Sequence, residues 1–134
     1  MDKISGSCNC GAVTYEISGD IRRVVNCHCG MCRKMNGSAF STYVAVPDAS
    51  FTLISGATNI SSHAVSTNAT KSFCNICGTP IYNLNPKYQG LKILHLGSLD
   101  NAHQYRPEVN IFCDTKLDWL DDISTITSFE QAMK

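Results

Sequence analysis

Short runs in which apolar and polar residues alternate between Gly, Pro and Asn breaks predict an all-β fold with minor helix, built of short antiparallel strands. Two further observations fit that class: no segment shows sustained helical periodicity, and the eight cysteines of this 134-residue chain fall mainly in short loop-like clusters. The alternation is clearest in AVTYEI (12–17), AFSTYVAV (39–46), SFTLI (50–54) and LKILHLG (91–97), where β-branched and aromatic residues recur at period two. Helix is expected only as a turn or so through GMCRKMNG (30–37) and as a short C-terminal piece in SFEQAMK (128–134), with Ser128 as N-cap. With no repeat, low-complexity tract or linker-like stretch, residues 1–134 are expected to form a single domain, a length that buries about two thirds of the unfolded surface.

Composition excludes some function classes. Lys plus Arg equals Asp plus Glu at 11 each, and no basic stripe recurs that would release counterions from a phosphate backbone, so no nucleic-acid partner is expected. The opening MDKISGSCNCGAVTYEI has no apolar signal-peptide core, and no later run reaches the roughly 18 apolar residues of a membrane span. The expectation is a soluble, cytoplasmic protein with no membrane partner. In a reducing compartment clustered thiols are more often metal ligands than disulfides, and CxC and CxxC spacings suit one shared metal better than separate bridges.

Structural zinc takes four ligands in a tetrahedron, commonly two from each of two short loops. Cys8 and Cys10 in CNCGAV, with Cys74 and Cys77 in CNICGTP, make such a set. A Gly follows the second thiol of each pair, as a tight turn that aims its amides at sulfur requires. Cys27, Cys29 and Cys32 lie within six positions of one another and can share one metal, but leave a tetrahedral zinc one ligand short. A catalytic zinc keeps that position open for water or substrate. The plain alternative is closure by Cys113 or by one of His28, His63, His95 and His103. A labile, redox-sensing thiol cluster is a third reading.

Each spare candidate also has an ordinary role. Cys113 lies in a strand-like run, where a free Cys behaves as a small buried hydrophobe. His95 alternates with apolar neighbours, as a hydrogen-bonded strand residue would. His28 falls between two candidate ligands, with its side chain expected to point away from the metal. His63 and His103 sit in polar surroundings and read as surface residues.

The ordered set GSCNCGAVTYEI, NCHCGMCRKMNGSAF, KSFCNICGTPIY, LGSLDN and NIFCDTKLDW resembles the glutathione-dependent formaldehyde-activating enzyme family, which also includes centromere protein V; the likeness spans about residues 5–130. The resemblance implies a β-tent zinc fold with two zinc ions. By motif position, Cys8, Cys10, Cys74 and Cys77 correspond to the structural site, and Cys27, Cys29 and Cys32 to the catalytic one. It also implies a carbon–sulfur lyase activity on a thiol adduct, with glutathione as the small-molecule thiol and S-hydroxymethylglutathione as its adduct with formaldehyde. The alternative is a non-catalytic zinc module that binds a protein or small ligand. Nearby Arg33 and Lys34 are candidates to offset thiolate charge or receive an anionic substrate. In NIFC, Asn110 stands where family members commonly carry His, and Cys113 is unusual at its position.

Overall fold

The computed structural model describes residues 3–133. Ten strands run in the order β1 (Lys3–Ser7), β2 (Thr14–Ser18), β3 (Arg23–Cys27), β4 (Ser41–Pro47), β5 (Phe51–Ser55), β6 (Ile60–Ala64), β7 (Thr70–Cys74), β8 (Pro80–Leu84), β9 (Leu91–His95) and β10 (Val109–Ile111). The one α-helix, α1, is Gly30–Asn36; the other helical pieces are 3₁₀ turns. The all-β class with minor helix is therefore what the chain adopts. All four strand-like runs singled out above carry strands (β2, β4, β5 and β9).

The strands form a small sheet in the order β1-β2-β5 and a seven-stranded sheet in the order β10-β3-β4-β9-β8-β7-β6. Every pairing is antiparallel except that of β10 with β3, which is parallel.

Register in the large sheet separates two chemistries. Val24, Val44, Leu94, Tyr82 and Ser72 stand opposite one another in a row across β3, β4, β9, β8 and β7. Of these, Val24, Val44 and Leu94 join Tyr15 and Ile17 of β2 in the core, and Tyr82 packs against it. One position along, the row is Arg23, Ala45, Ile93, Asn83 and Lys71, and strand alternation turns it to the other face. That face floors a cavity.

Gly6 explains a close contact of the small sheet with the turn after β9. A Cβ there would lie 2.3 Å from the Tyr15 ring and 2.7 Å from the Ser98 carbonyl oxygen, so only glycine lets Tyr15 seat with its hydroxyl 2.5 Å from Ser98 Oγ.

The C-terminal helix expected over 128–134 does not form. Residues 128–133 are bends and coil, and 3₁₀ turns occupy Asp118–Thr125 instead; Lys134 lies outside the described residues. Residues 128–133 are all exposed, and the Ser128 hydroxyl donates to the Ile126 carbonyl rather than accepting a helix amide. A seven-residue helix with neither cap nor buried face has nothing to offset its nucleation cost.

Candidate functional site

The eight cysteines are unbridged, and seven of them gather at two places. Cys8, Cys10, Cys74 and Cys77 bring their sulfurs within 4.8 Å of one another. The Cys8–Cys10 and Cys10–Cys74 separations are 3.5 and 3.8 Å, close to the ~3.8 Å edge of a tetrahedron of sulfurs about 2.3 Å from zinc. Two turns of similar design present them. Gly11 and Gly78 take left-handed φ angles of 82° and 83°, and their amides close onto the Cys8 and Cys74 carbonyls at 3.1 and 2.8 Å. The Val13 amide donates to Cys8 Sγ and the Ile76 amide to Cys74 Sγ, the amide-to-sulfur pattern that stabilises thiolates. The Thr79 hydroxyl, 3.2 Å from Cys77 Sγ, is the main cause that holds that thiol down at about 5. Cys8 and Cys74 are buried members of the core cluster, so this site ties the N-terminal turn into the body of the protein.

The second group is Cys27, Cys29 and Cys32, again within 4.8 Å of one another. Cys27 ends β3 on the cavity face, while Cys29 caps α1 by accepting the Cys32 amide at 3.2 Å. Cys32 Sγ lies 2.9 Å from Cys29 Sγ and 3.4 Å from Cys27 Sγ. The hydrogen bond from Cys32 holds the Cys27 thiol down at about 6, and Cys32 is pushed up in return. A thiolate is thus ready for a cation. The donor chemistry of both groups suits zinc.

Among the described residues no fourth His, Cys, Asp or Glu donor joins the trio at that radius. Cys113 sits exposed in a 3₁₀ turn after β10 and outside that radius, so the buried-hydrophobe role does not describe it. His28 is buried, with Nε2 3.1 Å from Asn110 Oδ1 and its ring beside Phe40. Asn110 also accepts from Asn26 at 3.1 Å and does not line the cavity. His95 is the hydrogen-bonded strand residue expected, and His63 and His103 are exposed. Arg33 and Lys34 do not line the cavity. Arg33 donates to the carbonyls of His28 and Thr115, with the Thr115 hydroxyl also on the His28 carbonyl, which pins the backbone between Cys27 and Cys29.

The trio stands in the wall of a cavity of about 640 Å³. Its walls are mostly apolar, with Val25, Ile93, Ile111 and Phe112 among them. Phe112 holds a left-handed backbone (φ 56°, ψ 44°) that a bulky side chain rarely adopts, beside the candidate ligands.

Spacing alone did not reveal three polar residues here. The Tyr43 hydroxyl donates to Cys32 Sγ at 3.1 Å, and burial raises its pKa, so it keeps its proton. Lys71 and Asn83 line the same cavity from β7 and β8. The available signal was strand parity: Tyr43 pairs with Val25 and His95, and Lys71 with Asn83.

The model of the family described as glutathione-dependent formaldehyde-activating enzyme matches residues 3–115. The chain belongs to the glutathione-dependent formaldehyde-activating enzyme family. A Halomonas elongata protein named "Putative glutathione-dependent formaldehyde-activating enzyme" is 26% identical over 125 residues, covering 88% of this chain and 80% of that protein. A crystal structure of a Rhodobacter sphaeroides protein, solved as a structural-genomics target, superposes with a TM-score of 0.62 at 21% identity, over 79% of this chain and 97% of that one. That likeness shows the shared fold. Membership of the glutathione-dependent formaldehyde-activating family makes glutathione the small-molecule thiol to consider. No helix among the described residues is long and apolar enough to cross a membrane.

Burial of His95 gives a pH prediction. Desolvation first, and Lys71 second, lower its pKa from 6.5 to about 4. The unfolded chain therefore takes up the proton before the folded one, so this residue's contribution to stability is intact above pH 6.5 and falls as pH drops toward 4. The full loss is about 3 kcal/mol. Measured against His95→Gln, unfolding free energy should show this extra slope only between those pH values; parallel curves would contradict it.

Proposed function

We propose that the protein is a zinc-dependent enzyme of the carbon–sulfur lyase type, acting on adducts of a thiol with a carbonyl compound. S-hydroxymethylglutathione is the first substrate to test. The observation that carries this reading is the trio Cys27, Cys29 and Cys32: three sulfurs with no fourth His, Cys, Asp or Glu donor at their radius among the described residues, set in the wall of a cavity of about 640 Å³ in a chain of this family.

On this reading Cys8, Cys10, Cys74 and Cys77 hold a structural zinc, and the trio holds the catalytic one. When bound at the trio, zinc supplies a Lewis acid beside the cavity. The chain's own residues do the rest. Cys27, Cys29 and Cys32 fix where the cation sits, and the Tyr43 hydroxyl, through its hydrogen bond, draws charge from Cys32 Sγ. Three thiolates around a dication leave net negative charge, so this donated hydrogen bond favours electrophilic work. Ile111 and Phe112 give the cavity that holds the trio apolar walls. In the cleavage direction the carbon–sulfur bond breaks with its electron pair going to sulfur. The adduct hydroxyl gives up its proton as the carbonyl forms, and the products are thiol and aldehyde.

Because this adduct forms and breaks unaided, the test is a rate. Exchange between free formaldehyde and S-hydroxymethylglutathione, followed by NMR, should accelerate in proportion to zinc-loaded protein. Exchange at the buffer rate would contradict the assignment of this substrate.

A further inference from the structure

Lys71 is 8% exposed, yet none of the ion pairs among the described residues includes it. Its ammonium has three donors and gives one to the Met35 carbonyl near the end of α1. The side chain lines the same cavity as the cysteine trio. A buried cation with no carboxylate partner is costly, and burial lowers the pKa of this amine accordingly. An anion delivered through the cavity would remove that cost.

Directly across the strand pair stands Asn83, also in the cavity lining. Its Oδ1 lies 2.9 Å from His95 Nε2. With its pKa lowered to about 4, His95 is neutral at physiological pH, and its Nε2–H donates to Asn83 Oδ1. That bond occupies Oδ1 and leaves Nδ2, a pure donor, free on the residue paired with Lys71. The cavity lining further includes Arg22, Arg23 and Lys87 and no Asp or Glu. Around these donors the surface is apolar, with Val65, Leu84 and Ile93.

We infer that Lys71 and Asn83, with Asn83 oriented by His95, form a binding site for a carboxylate, so that the substrate at the cysteine trio is anchored by its own carboxylate. This rests on the reading of the cavity as the substrate pocket. The carboxylate has two possible sources: the thiol partner, since glutathione carries two, or the carbonyl partner.

The experiment measures binding by calorimetry to the zinc-loaded protein, independently of turnover, with two matched pairs of probes: glutathione against its diethyl ester, and 3-phenylpropionate against 3-phenylpropionamide. In at least one pair the acid should bind about tenfold or more tightly than its neutral analogue, as a charge-assisted hydrogen bond allows. Lys71→Met should erase that preference, and Lys71→Arg should keep most of it. A Lys71-dependent preference in the first pair assigns the carboxylate to the thiol, and in the second pair to the carbonyl compound. If Lys71 only held the end of α1 in place, Lys71→Met would weaken acid and neutral probe alike, and that result would overturn the inference. So would acids that bind no better than their analogues. Should Lys71→Met not fold, Asn83→Asp sets a carboxylate against the ammonium and should erase the same preference. These outcomes are separable from the proposed chemistry, because a protein that accelerates formaldehyde exchange without any Lys71-dependent preference keeps the activity and loses only the anchor.

Discussion

Cys74→Ala is expected to abolish the cooperative fold. Cys74 is fully buried within the core cluster, and its sulfur belongs to the four-thiol group that joins the turn after β1 to the end of β7. A structural zinc contributes about 10 kcal/mol or more, which is comparable with the whole stability of an ordinary domain, roughly 5–15 kcal/mol. Three remaining thiols do not complete a tetrahedron, and the lost sulfur leaves a void in packed surroundings. Zinc content and thermal unfolding report the outcome together: little soluble protein, less than one zinc per chain and no sharp transition. A cooperative domain carrying its full metal complement would show that these four thiols do not form a structural site.

Cys29→Ala should behave oppositely. Cys29 is only partly buried, lies outside the core cluster, and its one visible structural duty is to cap α1. Loss of that cap costs about 1 kcal/mol, a fall of roughly 5 °C in melting temperature. One zinc should be lost and the exchange activity should drop to the buffer rate while the fold remains. Unfolding of the whole chain would make the trio structural, and retained activity would remove it from the chemistry.

The contrast between these two sites was legible in the cysteine spacing, because a metal's coordination number is a local rule that short loops must satisfy. Gly11 and Gly78 were legible for the same reason, since both are followed directly from the thiol they adjoin. Strands β2, β4, β5 and β9 showed their alternation, whereas β7 did not: its KSFC carries a buried lysine and, three residues on, the core ligand Cys74, a pattern that no hydrophobic count favours. Nothing in its sequence context singled out Lys71; the pairing with Asn83 is what places it in the cavity. The same holds for Tyr43, whose hydrogen bond to Cys32 depends on β4 lying beside β3. Asn110 and Cys113 are candidates at the trio from the motif NIFC alone. The parallel register of β10 with β3 sets Asn110 against Asn26 and His28 instead, and Cys113 lies beyond the strand's end.

X-ray absorption at the zinc edge, with metal content measured on protein purified without chelator, reads whether the metal position at Cys27, Cys29 and Cys32 is open. Two zincs per chain are expected, with an average coordination below four sulfurs and a light-atom neighbour at about 2.0 Å, which disappears along with one zinc in Cys29→Ala. Four sulfurs around each of two zincs would contradict an open position, because both sites would then be closed.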